Sequence, residues 1–210
     1  MQTKVIKLEH DMEKMAKLID QCVAIVKKGG LVAYPTETSY GIGCDATNKD
    51  AVKKIYEVKG RDPFRPLPVI VSDLRMAEEH CTLDDRAKKL VNAFMPGPLT
   101  LVVQKKHSLP DELTTKGVAF RIPGKDFPRL FAQECGVPLV STSANISGKT
   151  PIYRVDELKQ TFDGKIDLIV DAGNLPPVRP STIIDLRGRD PIVVREGPLS
   201  VQDVITELAD

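Results

Sequence analysis

The 210-residue chain contains no tryptophan, and aromatic residues make up only 5 % of it. Proteins that grip single-stranded nucleic acid by base stacking need aromatic platforms, so this scarcity counts against that class. Histidine is nearly as rare. His10, His80 and His107 all fall outside the polar clusters described below, which leaves no Ser–His nucleophile to build. The four cysteines, Cys22, Cys44, Cys81 and Cys135, form no C-x-x-C pair and stand beside no histidine at ligand spacing. Free, buried thiols in a reducing cytosol are expected. No apolar run approaches the ~18 residues that cross a bilayer. The N-terminal MQTKVIKLEHDMEK is charged throughout and lacks the apolar core of a signal peptide. The expectation is a cytoplasmic protein without a membrane partner. An excess of charge is also missing: thirty basic residues against twenty-nine acidic ones give a net charge of +1. A general nucleic-acid binder carries a stronger basic signature.

What is present is an ordinary globular composition, 41 % hydrophobic and 28 % charged, enough to bury a core. Asp11 is placed to cap a helix whose apolar residues Met15, Leu18, Ile19, Cys22, Val23 and Val26 keep helical spacing until Gly29-Gly30. Further helices are predicted over 50–58, 84–95, 127–135, 156–162 and 200–208. Strands are predicted over 31–34, 68–71, 99–104, 118–122, 137–140, 167–172, 182–186 and 192–196. Many of these strands are rich in Val and Ile without alternation, as expected where both faces are covered. With no repeat or long linker, the reading is a single α/β domain over 1–210, a twisted mixed parallel and antiparallel sheet flanked by helices.

Small polar and basic residues gather at strand ends, where α/β sheets bind ligands. The clusters are PTETSYG (35–41), Lys59 and Arg61 in KGRDPFRPLPVIV, Arg121 in FRIP, STSANISG (141–148), PSTIID (180–185) and Arg195-Glu196-Gly197. Each has a plain explanation. Thr36 and Thr38 suit turn backbone, Lys59 and Arg61 suit a helix C-terminus, and Arg121 suits a surface carboxylate. Together, hydroxyl-rich turns and dispersed cations suit a polyanionic ligand. Gly148-Lys149-Thr150 is the tail of a P-loop, but the position five before Gly148 is Ser143, not glycine. The segment TPIYRVDE that follows lacks helical apolar spacing. Lys149 is therefore expected to be a surface lysine, and charge neutralisation must come from Lys59, Arg61, Arg121 and Arg195.

In order, PTETSYGIGCDA, KGR followed by RPLPVIV, PGPLTLVV, FRIP, STSANISG, RPSTIID and VVREG resemble the YrdC family over about residues 15–200. The resemblance implies a YrdC-like fold and synthesis of threonylcarbamoyl-adenylate from L-threonine, bicarbonate and ATP, with release of pyrophosphate. The product would feed a tRNA threonylcarbamoyl transferase complex that modifies the adenosine beside the anticodon. It implies that Thr36, Arg121, Ser141 and Ser181 hold threonine, that Lys59, Arg61, Ser143, Asn145 and Arg195 surround ATP, and that Lys59 and Arg61 are catalytic. Mg²⁺ would accompany ATP, bound largely by phosphate oxygens and water. No protein ligand is assigned to it, since turn and capping roles suit Glu37, Asp45 and Asp185 better. The chain resembles the family's short form, and its intact K-x-R and S-A-N signatures differ from a divergent branch that has lost them.

A rival reading is a non-catalytic module binding double-stranded RNA or tRNA in translation or ribosome assembly. A third, a carbamoyl transferase using carbamoyl phosphate, belongs to larger chains with zinc-finger cysteines absent here. The polar segment 105–117 is either a mobile loop over the pocket or an ordinary surface connection.

Overall fold

The computed structural model describes residues 2–209, with twelve strands and seven helices among them. Strand β1 (Lys4–Lys7) leads into helix α1 (Met12–Val26), capped by the Asp11 carboxylate, which accepts from the Lys14 N–H. The hairpin β2 (Val32–Pro35) and β3 (Tyr40–Gly43) precedes α2 (Lys49–Lys59), which ends on Gly60 in the left-handed region. Then come β4 (Val69–Ile70), α3 (Leu74–His80), β5 (Cys81–Thr82) and α4 (Asp85–Phe94). The long β6 (Leu99–Lys105), β7 (Val118–Arg121) and α5 (Asp126–Cys135) follow. Strands β8 (Leu139–Val140) and β9 (Thr142–Ser143) precede α6 (Val155–Phe162) and β10 (Leu168–Asp171). The hairpin β11 (Thr182–Asp185) and β12 (Ile192–Arg195) leads to α7 (Val201–Ala209).

The strands divide into two mixed sheets rather than the one expected. The first has the order β1-β10-β2-β3-β9, the second β12-β11-β6-β7-β4-β8, with β5 added to β6. The division falls inside STSANISG. Strand β8 pairs with β4 of the second sheet, and one residue later β9 pairs with β3 of the first. Ser141 is that one residue, its N–H held by the Pro68 carbonyl. The backbones meet closely here: a Cβ on Gly43 would stand 2.4 Å from the Val140 carbonyl oxygen. The small residues that permit this contact also hide β3, whose sequence YGIG carries little strand signal.

Helices α1 and α5 cover the outer face of the first sheet around Leu18, Cys22, Tyr34 and Phe131. The larger core lies around Tyr40, Ile55, Leu101, Phe120 and Phe162. All four cysteines are free and buried, and burial raises each thiol's pKa, which keeps them protonated. Strand β12 departs from the expectation of two covered faces. It is an edge strand, and Ile192, Val193 and Val194 are 59 %, 45 % and 57 % exposed. The connection 106–117 is fastened down: Leu109 and Leu113 are buried, and the Leu113 carbonyl accepts from the Leu67 N–H and the Tyr56 hydroxyl. None of its residues lines the cavity described below.

Candidate active site

A cavity of about 370 Å³ opens at the seam between the two sheets, near the low end of the ~300–1,000 Å³ common for ligand pockets. Thr36, Ser143 and the turn after β2 line it from the first sheet. Arg121, Ser181 and Arg195 line it from the second, with Ser141 between them and Arg61 at the rim. The clusters that sequence reading singled out are thus brought to one place by the topology. Two predicted site residues, Lys59 and Asn145, stand behind the lining and not in it.

Lys59 is the last residue of α2 and only 1 % exposed. Its ammonium donates to the Ser143 carbonyl, to the Asn145 carbonyl (2.8 Å) and to Asn145 Oδ1 (3.2 Å). Asn145 Oδ1 also accepts from Ser143 Oγ (2.6 Å), while Asn145 Nδ2 donates to the Ile146 and Lys149 carbonyls. The loop 143–149 is therefore wound around one amide and nailed to the helix end by one ammonium. Lys149 itself is exposed, and no helix begins until Val155, so nothing of a P-loop survives.

Thr36 does what a turn hydroxyl does: Oγ1 donates to the Ser39 carbonyl (2.7 Å) and accepts from the Thr38 and Ser39 N–H groups. The residue nonetheless lines the cavity. Ser181 Oγ shares a hydrogen bond with Thr100 Oγ1 (2.8 Å), and Arg195 Nε donates to the Ser181 carbonyl (3.0 Å). Arg61 folds back, donating from Nε to the Arg65 carbonyl and from Nη2 to the Pro66 carbonyl. Arg121 pairs with Glu37 at 2.9 Å, so the carboxylate partner foreseen as a plain explanation exists, and it stands beside the pocket.

Among the described residues no carboxylate lies within 4.0 Å of the Lys59, Arg61 or Arg195 cations, and none lines the cavity. Partial burial, and then the charge of Arg121, lower the pKa of Arg195. Burial, and then Arg61, push Lys59 down to about 8 from 10.5. A site of uncompensated cations is primed for an anion of several charges.

The Lys59 shift has a definite sign. Below pH 8 the group is charged in both folded and unfolded chains, and its burial opposes folding. Between pH 8 and 10.5 the folded protein sheds a proton that the unfolded chain keeps, so this penalty shrinks as pH rises and vanishes above 10.5. A polyphosphate bound nearby would restore the proton. If the cavity takes a nucleotide, binding near pH ~8.5 is expected to take up a substantial fraction of one proton per site, read from calorimetric titrations in buffers of different ionisation enthalpy.

Sequence reasoning missed part of the lining. Tyr153 and Val178 reach the cavity from irregular segments whose sequences hold no motif, whereas Thr38, Ser39 and Pro180 lay in clusters already quoted.

A family profile described as telomere recombination, Sua5/YciO/YrdC, matches residues 24–197. The chain belongs to the Sua5/YciO/YrdC family. A Methanocaldococcus jannaschii protein provisionally named threonylcarbamoyl-AMP synthase is 36 % identical over 203 residues, 96 % of this chain and 97 % of its own length. A solved structure of Pyrococcus abyssi Sua5 complexed with L-threonine matches with a TM-score of 0.88 at 32 % identity, over 98 % of this chain. This chain spans 60 % of that longer family member. Escherichia coli YciO, another Sua5/YciO/YrdC structure, matches with a TM-score of 0.83 at 28 % identity, over 96 % of this chain and 98 % of its own.

Proposed function

We propose that this chain is an L-threonylcarbamoyladenylate synthase, a nucleotidyltransferase that joins L-threonine, bicarbonate and ATP and releases pyrophosphate. The observation that carries the reading is the meeting of Arg61, Arg121 and Arg195 with Thr36, Ser141, Ser143 and Ser181 around one cavity that no carboxylate lines. Relatives bearing the name threonylcarbamoyl-AMP synthase, and the L-threonine complex of the Pyrococcus abyssi protein, support it.

The chemistry asks for positioning and charge. The threonine amine adds to CO2 and loses a proton to give a carbamate (bicarbonate reaches the same product with loss of water), a carbamate oxygen attacks the α-phosphorus, and pyrophosphate leaves. Arg121 is the cation for the threonine carboxylate, since a guanidinium matches that geometry and has N–H donors beyond the one given to Glu37. Arg61 and Arg195 take the charge of the triphosphate and of the departing pyrophosphate. Lys59 acts one layer back, holding the Ser143–Asn145 loop in shape and adding its charge from beneath.

Among the described residues the carboxylates do not form a cage for Mg²⁺. Glu37 is tied to Arg121, Asp45 to Thr47 and Asp185 to Arg187, and no three His, Cys, Asp or Glu side chains among the described residues cluster closely enough to ligate one ion. Mg²⁺ would come with the nucleotide, and no step is assigned to it. The product would pass to a tRNA threonylcarbamoyl transferase complex in the cytoplasm. No described helix is long and apolar enough to cross a membrane.

The test is pyrophosphate release from ATP with threonine and bicarbonate supplied or withheld in turn. Strict dependence on both is expected. Turnover indifferent to threonine, or binding of structured RNA without turnover, overturns the proposal.

A further inference from the structure

The pairing of Glu37 with Arg121 has an unusual form. Oε2 of Glu37 accepts from Arg121 Nη2 at 2.9 Å. Oε1 faces the other way and accepts two backbone N–H groups, Gly124 at 2.5 Å and Lys125 at 3.3 Å. Those groups lie at the start of α5, whose N-cap residue Lys125 supplies no side-chain bond of its own. One carboxylate thus ties the turn after β2 to the short stretch 121–125 that joins the end of β7 to the entry of α5.

The pair is well shielded, with side-chain exposures of 11 % for Arg121 and 25 % for Glu37. Arg121 also faces the positive charge of Arg195 across the cavity. A lone guanidinium in that field would be repelled towards solvent. Glu37 opposes this with Oε2, which takes a single guanidinium N–H, while Oε1 is committed to backbone; among the described residues no other acceptor holds the remaining donors of Arg121, which lines the cavity.

From this arrangement we propose that Glu37 is a positioning residue for threonine: it fixes the Arg121 guanidinium in the orientation that receives the substrate carboxylate. The inference rests on the proposed function, in which Arg121 binds threonine. It gives the PTET turn a task beyond its own backbone.

Glu37→Gln separates the two halves of the role. The amide oxygen can still accept from Gly124 and Lys125, while the amide NH2 opposes the Arg121 N–H donor to donor. Loss of a charge-assisted bond of this kind is worth on the order of tenfold or more in affinity. The expected result is a threonine KM raised roughly tenfold or more, an ATP KM within about twofold of wild type, and a melting temperature close to wild type.

A double-mutant cycle adds the decisive comparison. With threonine affinity measured calorimetrically, Glu37→Gln should add almost nothing in an Arg121→Ala background. The positioning role is overturned if Glu37→Gln leaves the threonine KM unchanged, if the threonine and ATP constants rise together, or if its effect persists in full without Arg121. Absence of threonine-dependent turnover in the wild-type enzyme instead sinks the functional reading beneath it, so the two failures are told apart.

Discussion

Lys59→Met is expected to lose pyrophosphate release by about a hundredfold or more and to melt several degrees below the wild type. Methionine fills much the same space as the lysine stem, so little cavity opens in a residue that is 1 % exposed. What disappears is the ammonium. The Asn145 carbonyl then loses its buried donor, at a cost of about 1–3 kcal/mol, while the Ser143 carbonyl and Asn145 Oδ1 each lose one of two donors and keep the Asn145 N–H and Ser143 Oγ. For a domain of this size, 1 kcal/mol corresponds to about 2–4 °C. In the sequence Lys59 and Arg61 are two similar cations near one helix end. The structure separates them. Arg61 is a rim residue bonded only to its own loop, so Arg61→Ala should raise the ATP KM with little change in melting temperature. Paired thermal melts and kinetics read the contrast. A Lys59→Met protein with wild-type melting and turnover would refute this account of the loop.

Gly197→Ala should damage stability and threonine use together. A Cβ there would stand 2.3 Å from the Pro180 carbonyl oxygen, 2.5 Å from the Thr182 nitrogen and 2.6 Å from the Ser181 carbonyl carbon. All three are backbone atoms, and none can swing aside as a flexible side chain would. Relief requires moving the 180–182 segment, at a cost of about 1–3 kcal/mol as in other overpacked sites. That segment carries Ser181, which holds Arg195 through its carbonyl. Melting should fall by about 2–10 °C and the threonine KM should rise with it. A stable variant with unchanged kinetics would mean that the two strands part without disturbing the site.

Much of the fold could be read from the sequence because its long elements carry strong periodic signals. The α1 residues from Met15 to Val26 are buried as their spacing implies, and Asp11 caps them. The strands at 99–105 and 168–171 announce themselves by residues rich in Leu, Val and Ile. Strands β1, β3 and β9 were not legible. Lys-Val-Ile-Lys lies at a sheet edge, Tyr-Gly-Ile-Gly is half glycine, and Thr-Ser is two residues long. Helix α3, seven residues starting at Leu74, is too short for its period to emerge. The apolar β12 misleads in the opposite direction, since local sequence does not say whether a neighbour covers a strand.

The polar clusters were legible as residue types, and their convergence is a fact of topology that spacing along the chain does not contain. The same limit explains Lys59. Sequence shows a cation near a helix end, and only packing shows that its ammonium turns inward to three oxygens. Glu37 was read as a turn residue for the same reason, its partner Arg121 lying 84 positions away.

The crossing of the chain at Ser141 bears on how ligand binding and folding share their free energy. Thr36 and Ser143 belong to one sheet, Arg121, Ser181 and Arg195 to the other, and a single residue between β8 and β9 is where the strand changes sides. A molecule held by both groups is a rivet through two plates. Its affinity is then felt as resistance of the whole domain to opening, and not only of the loops it touches. The reciprocal holds as well: a substitution that loosens either plate, however far from the cavity, is paid in substrate affinity.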